Sequence, residues 1–217
     1  MTDIRPDSAV VRPRRRPPRL SPVLLGVLLL LGMGAAAWAL LRRPQLVFTN
    51  GLAGAITVVA GDSERVRLPP GSTHTFSVPG RSSLVVQWTL ERPLSADDRP
   101  MGEEVRGSLV IREPSGRLER GATARGAGDY FAPLITNATD DLLRVTVNAG
   151  LEGALDCGCA VRPGARRVFI GYYRLYRNST VRAQSPSGAT ATFQDLGPQV
   201  TTQDGTVGLR FESKDFR

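Results

Sequence analysis

The sequence predicts a mainly β protein, with a single N-terminal transmembrane helix followed by one or two antiparallel β-sandwich units. Three observations carry this. A long uncharged run lies near the N-terminus. Beyond it, short runs rich in Val, Thr and aromatic residues recur between turn-forming residues. No amphipathic helical period follows Leu41.

Residues 1–20 are dense in proline and arginine, with too few apolar groups to bury a core, and read as a disordered basic cytoplasmic tail. Residues 21–41 read as the transmembrane helix. From Leu20 to Leu41 there are 22 consecutive residues without a charge. At about 1.5 Å per residue such a helix reaches roughly 33 Å, enough for a hydrocarbon core of about 30 Å. A helix packed on a soluble core would carry a polar face over this length, and this one has none. Arg5, Arg12, Arg14, Arg15, Arg16 and Arg19 precede the run, while only Arg42 and Arg43 follow it closely. That asymmetry predicts a signal-anchor in the cell membrane, single-pass, with the N-terminus cytoplasmic and the C-terminal domain extracytoplasmic. The lipid bilayer is then the partner of residues 21–41. A cleaved signal peptide is the rival reading, with Val23 to Leu31 as its apolar region and Ala35, Ala37 and Ala39 as small-residue cleavage positions. The apolar run continues through Trp38, Leu40 and Leu41, longer than a signal needs.

The net charge of +8 and isoelectric point near 10.6 point to nucleic acid only until the charge is partitioned. Residues 1–43 hold eight arginines against Asp3 and Asp7, leaving 20 basic and 18 acidic groups over residues 44–217. The outer region is nearly neutral, so no nucleic-acid partner is expected. The basic excess flanks the membrane run, where it faces anionic headgroups.

From Leu46 onward, Leu46–Thr49, Ala55–Val59, Thr73–Val78 and Ser83–Leu90 read as strands. They are bounded by Asn50-Gly51, Gly61-Asp62, Pro70-Gly71 and Pro79-Gly80. Residues 44–91 are expected to form a first β unit and residues 132–217 a second. Residues 92–131, rich in charge, Gly and Pro with one strand at Ser108–Ile111, are expected to form a loop-rich linker or an extra hairpin. An internal repeat supports two units. Asn50 precedes Ile56, and Asn137 precedes Leu143, by the same six residues. Gly71 precedes Phe76, and Gly164 precedes Phe169, by the same five. The second copy is longer between these landmarks, and its insertion carries Asp156-Cys157-Gly158-Cys159.

The phrase Val66-Arg67-Leu68-Pro69-Pro70-Gly71, followed by Thr73-His74-Thr75-Phe76-Ser77-Val78, resembles small bacterial surface β-modules of the PEGA-like class. In that class a strand leads through a Pro-Gly turn into another strand, and the Pro-Glu-Gly-Ala signature itself is lacking here. The resemblance implies surface display and binding rather than catalysis, and it transfers no functional residue.

His74 is the only histidine, and strand alternation puts it on one face with Phe76 and Val78, a packed strand position. The acidic pairs Asp97-Asp98, Glu103-Glu104 and Asp140-Asp141 fall in turn-like segments, without the separation that glycoside hydrolysis needs or the loop spacing of a calcium site. No catalytic residue, metal site or cofactor is expected. Asn137-Ala138-Thr139 and Asn178-Ser179-Thr180 match the glycosylation sequon but are discounted, since it matters only in a eukaryotic secretory pathway and a composition rich in Arg, Ala and Gly with a single Lys reads as a GC-rich bacterial genome. Cys157 and Cys159, beyond the membrane run, are expected to be oxidised. A local disulfide across Gly158, a bridge to another chain, and a redox or metal role are the readings, in that order. Alternation on a strand would put Tyr172, Arg174 and Tyr176 on one face, as a partner contact or as a cross-strand aromatic ladder that stabilises the sheet.

The functional expectation is a membrane-anchored extracytoplasmic β-domain acting as a binding or structural module of the cell envelope, with a protein partner there. The alternatives are a thiol-disulfide or metal-handling protein using Cys157 and Cys159, and an accessory subunit of an envelope assembly. For the last, Gly32 and Ala36 supply a small-residue pair for helix packing.

Overall fold

The computed structural model describes residues 26–27, 29–34, 44–63, 65–78, 83–124, 129–151, 155–200 and 202–217, without the side chains of residues 155–158. Of the expected 21–41 span, residues 26–27 and 29–34 are described, and these are helical. Among the described residues no helix is long and apolar enough to cross a membrane. The tail 1–20 and the rest of the span lie outside the described residues.

Residues Arg43–Arg217 form one compact, mainly β unit. Its first half contains β1 (Gln45–Asn50), β2 (Ile56–Ala60), β3 (Val66–Leu68), β4 (Thr73–Ser77), β5 (Ser83–Leu90), β6 (Arg106–Arg112) and β7 (Arg117–Ala122). Its second half contains β8 (Tyr130–Asn137), β9 (Leu143–Val147), β10 (Leu155–Val161), β11 (Val168–Phe169), β12 (Tyr173–Arg174), β13 (Val181–Gln184), β14 (Thr190–Phe193) and β15 (Thr206–Phe211). In the first half, sheet β4-β1-β7 packs on sheet β3-β2-β5-β6. In the second, β8 lies between β11 and β15, and the facing sheet runs β10-β9-β13-β14. Both halves therefore follow one plan.

The sheets are largely antiparallel, but each half closes with a parallel pair, β1 with β7 and β8 with β15. The registers correspond: Asn50 lies opposite Ala122, and Asn137 opposite Phe211. Alternation shapes the cores. β5 reads exposed-buried along its whole length, with Leu84, Val86, Trp88 and Leu90 facing β1 and β4 residues such as Phe48 and Phe76.

The two repeated asparagines explain why the plan recurs. Asn50 is fully buried; its Nδ2 donates to Gly54 O and Leu68 O, both at 2.9 Å, and its Oδ1 accepts from Leu52 N–H at 3.0 Å. Asn137 donates to Asp141 O at 2.8 Å and Val161 O at 2.9 Å, and accepts from Thr139 N–H at 2.9 Å. One side chain thus shapes the turn out of the first strand and ties it to the third strand across the sandwich, satisfying groups that burial would otherwise orphan.

Within the stretch 92–131, β6 and β7 pair with strands outside it and not with each other. β6 is the edge of the four-stranded sheet through β5, and β7 is the parallel partner of β1 in the other sheet. β7 escaped the sequence reading because, on a strand whose outer face is solvated, only Ala122 is fully buried and Leu118 partly so. Residues 91–105, between β5 and β6, hold Leu94 and Pro100 in an isolated bridge.

β8 breaks the alternating pattern: Phe131, Ala132, Pro133, Leu134 and Ile135 are all buried. Phe131 and Ile135 belong to the second core, whereas Ala132 belongs to the first. Both faces of β8 are covered, so it reads as a continuous apolar run.

Candidate partner-contact surface

The tyrosine segment does not form a surface ladder. Tyr172 and Tyr173 are 0% and 1% exposed, Tyr176 is half-buried, and Arg174 is the exposed member of the expected trio. The reason lies in β8. Ala132 N–H donates to Gly205 O on the β15 side and Asn137 N–H to Ala165 O on the opposite side. By alternation, the donor that Pro133 lacks falls on the side where β11 and β12 pair. There β11 stops at Phe169, opposite Leu134, and β12 resumes at Tyr173, opposite Phe131, with one extra residue between. The result is a bulge through Ile170, Gly171 and Tyr172, with Gly171 at φ 105°. Alternation fails between Ile170, in the second core, and Tyr172, in the first, while Tyr173 belongs to the second. Tyr172 stacks edge-on against Phe169 (5.7 Å) within the first core, and Tyr173 lies 6.5 Å from Phe131 within the second.

Tyr172 instead clasps the two halves. Its hydroxyl accepts from Ala53 N–H at 3.0 Å and donates to Asp204 O at 2.5 Å. Burial pushes the phenol well above its ordinary pKa, so it stays neutral and keeps the proton it donates. Its backbone carbonyl accepts from Glu103 N–H at 2.8 Å, and the Glu103 carboxylate accepts from Arg174 N–H at 2.8 Å. Met101, from the β5–β6 connection, is buried in the second core. The halves thus exchange residues. Gly102 and Gly171 let the backbones meet: a Cβ on Gly102 would lie 2.8 Å from Tyr172 O.

The cysteines sit on β10. Asp156 pairs with Thr146 and Cys159 with the next residue, Val145, leaving Cys157 and Gly158 as a two-residue bulge. Cys159 is disulfide-bonded and 2% exposed, with Sγ 3.8 Å from the Tyr173 hydroxyl. The only other cysteine of the sequence is Cys157, whose side chain lies outside the described residues. His74 is half-buried and packs edge-on against Phe76 at 4.7 Å. Among the described residues no group of three or more His, Cys, Asp or Glu side chains is placed to hold a metal ion. Asn137 of the first sequon is 1% exposed and fully engaged in its turn.

Solvent-facing groups line the outer faces of the four-stranded sheets, as they do β4 and β7. In the first half, Val85 and Val110 are cross-strand partners, 42% and 58% exposed. Arg106, Ser108 and Arg112 lie on the same face of β6, beside Ser83, Gln87 and Thr89 of β5, all exposed. In the second half the corresponding face carries Arg144, Arg182, Gln184 and Thr192. The edges differ. Beside β14, Arg217 exchanges both backbone hydrogen bonds with Thr190, at 3.0 and 3.2 Å. Beside β6, no strand is paired on the outer side among the described residues. Sequence reasoning missed this surface, although the spacing Arg106-x-Ser108-x-Val110-x-Arg112 marks one exposed strand face.

Comparison with known proteins finds no family whose sequence pattern matches this chain, and no characterised protein with significant similarity to it.

Proposed function

We propose that this chain is a membrane-anchored, extracytoplasmic β-domain that serves as a binding or structural module of the cell envelope, and not an enzyme. The observation that carries the reading is the exchange of Met101 and Tyr172 between two sandwich halves. Such an interlocked body presents sheet faces and a strand edge, surfaces through which β-modules meet other macromolecules. The uncharged run Leu20–Leu41 and the arginines before it support an anchor immediately ahead of β1, and the PEGA-like phrase at Val66–Val78 fits surface display. A reporter fused after Arg217 is expected to be active only outside the cytoplasm, and replacing the six N-terminal arginines to scramble its orientation. Activity of the unaltered fusion inside the cytoplasm would refute the anchored reading.

A further inference from the structure

We propose that the open edge of β6 takes up, as an added strand, an extended segment of a partner protein carrying acidic side chains six residues apart. This rests on the binding-module reading and gives the partner its chemistry. Leu90 N–H donates to Val105 O, and Leu90 stands opposite Val105 in the continued β5–β6 register. By the alternation of an antiparallel ladder, Gly107, Leu109 and Ile111 bond to β5, while the N–H and C=O groups of Arg106, Ser108, Val110 and Arg112 point away from it. Those four residues also carry the exposed side chains. One row of residues thus offers both a strand edge that no described residue pairs with and a side-chain pattern to read.

The second half shows what occupies such an edge. Trp88 pairs with Gly107 and Ala183 with Ala191 at matching places in the two halves, so Thr190 is the counterpart of Arg106. Thr190 is bonded by Arg217 of the same chain. After β7, in contrast, the chain runs on into β8 and leaves β6 unpartnered among the described residues.

Charge selects the occupant. On the outer face of β5 and β6 the charged residues are Arg106 and Arg112, with Val85 and Val110 between them and no acidic group in either strand. Glu91, just beyond β5, is held by Arg67 at 2.7 Å. An incoming strand meets an arginine at each end and a valine within, which acidic residues flanking an apolar one complement. A second copy fits worse: the antiparallel register that pairs all seven residues of β6 with themselves sets Arg106 opposite Arg112, like charge against like charge.

The test uses the full-length chain in non-ionic detergent and a fluorescent peptide, Glu-Thr-Val-Thr-Thr-Thr-Glu, with a second peptide bearing Lys at both ends. Fluorescence anisotropy is expected to show binding of the acidic peptide at least tenfold tighter than the Lys peptide. Amide exchange should slow at least tenfold at Ser108 and Val110 on binding. Ser108→Pro removes an outward N–H without touching the β5 ladder, so it is expected to fold and to lose at least tenfold in affinity. Arg106→Glu with Arg112→Glu should reverse the peptide preference. Absence of acidic-peptide binding, equal binding of both peptides, or undiminished binding by folded Ser108→Pro would each overturn the proposal. So would protection of Ser108 and Val110 in a concentration-dependent dimer of the free chain, which would assign the edge to a second copy. None of these results bears on the reporter fusion, so the edge can fail while the anchored-module reading stands.

Discussion

In the first half of the domain β4 runs unbroken beside β1 from Thr73 to Ser77; in the second, the corresponding strand stops after Phe169 and resumes at Tyr173. The position that differs on the central strand is Leu46 in one half and Pro133 in the other, each four residues before the buried asparagine. Leu46 pairs with Phe76 in the ordinary way. Pro133 offers no donor, and the bulge opposite it aims Tyr172 out of its own sandwich into its neighbour's. A single lost hydrogen-bond donor thus separates a self-contained sheet from one that reaches across. The facing sheets differ as well: Trp88 lies over Gly107 in the first half, where the second has Ala183 beside Ala191.

The most severe way to break the comparison is Tyr172→Ala. Although Tyr172 lies between strands of the second half, the loss should fall on the first core, by about 3–5 kcal/mol. Urea unfolding would give the total, and amide exchange should show β5 losing more protection than β13. Tyr172→Phe keeps the ring but strands Ala53 N–H and Asp204 O, at a cost of roughly 1–3 kcal/mol. Equal loss of protection in both halves would mean that the clasp is not directional.

Asn50→Ala and Asn137→Ala test the likeness rather than the difference. Each loses two bonds to carbonyls and one from an N–H, Asn137→Ala also the bond from the Thr139 hydroxyl, and each should destabilise by on the order of 3 kcal/mol. Matching losses by denaturant titration are expected; a tolerant site at either position would show that the repeat is geometric but not energetic.

Gly107→Ala drives a Cβ into the Trp88 ring and should cost roughly 1–3 kcal/mol through overpacking. Ala191→Gly, at the corresponding place, should cost about 0.5–1 kcal/mol, chiefly through backbone entropy. Thermal melts of the two variants would check the ranking.

The smallest effect is expected at acid pH, at the turn into β15. Burial alone would raise the Asp204 pKa, but hydrogen bonds from Thr202 and Thr206 outweigh it and hold the carboxylate below its ordinary 3.8. A depressed folded value contributes stability that is fully present above the unfolded value and lost as pH falls through the folded one. Melting temperature should therefore drop modestly below pH 3.8, and less so in Asp204→Asn. An acid limb unchanged by Asp204→Asn would remove the carboxylate from the account.

Much of the fold was legible in advance. Apolar alternation marks β2 and β5, and Asn50 with Asn137 and Gly71 with Gly164 mark the repeat, because a turn that needs a buried amide or a positive φ leaves its residue in the sequence. β7 and the short β11 and β12 were not legible, since strands of two residues or with one buried side chain carry no period. Tyr172, expected on one face with Arg174 and Tyr176, is buried because the first core covers it, which no local pattern records.

By itself, then, the sequence determined which residues seek the interior, where the chain turns, that its basic excess lies ahead of Pro44, and that two stretches share one spacing of Asn and Gly landmarks. Each of these is written in neighbouring residues. Only the tertiary structure decided that Tyr172 fills the first core and Met101 the second, that β7 and β15 lie parallel to the strands opening their halves, and that Arg217 bonds Thr190 at the β14 edge while no described strand pairs with the outer side of β6. Those outcomes depend on which segment arrives beside which: Tyr172 and Ala53 are 119 residues apart in the chain and share one hydrogen bond. No local pattern encodes a partner at that distance.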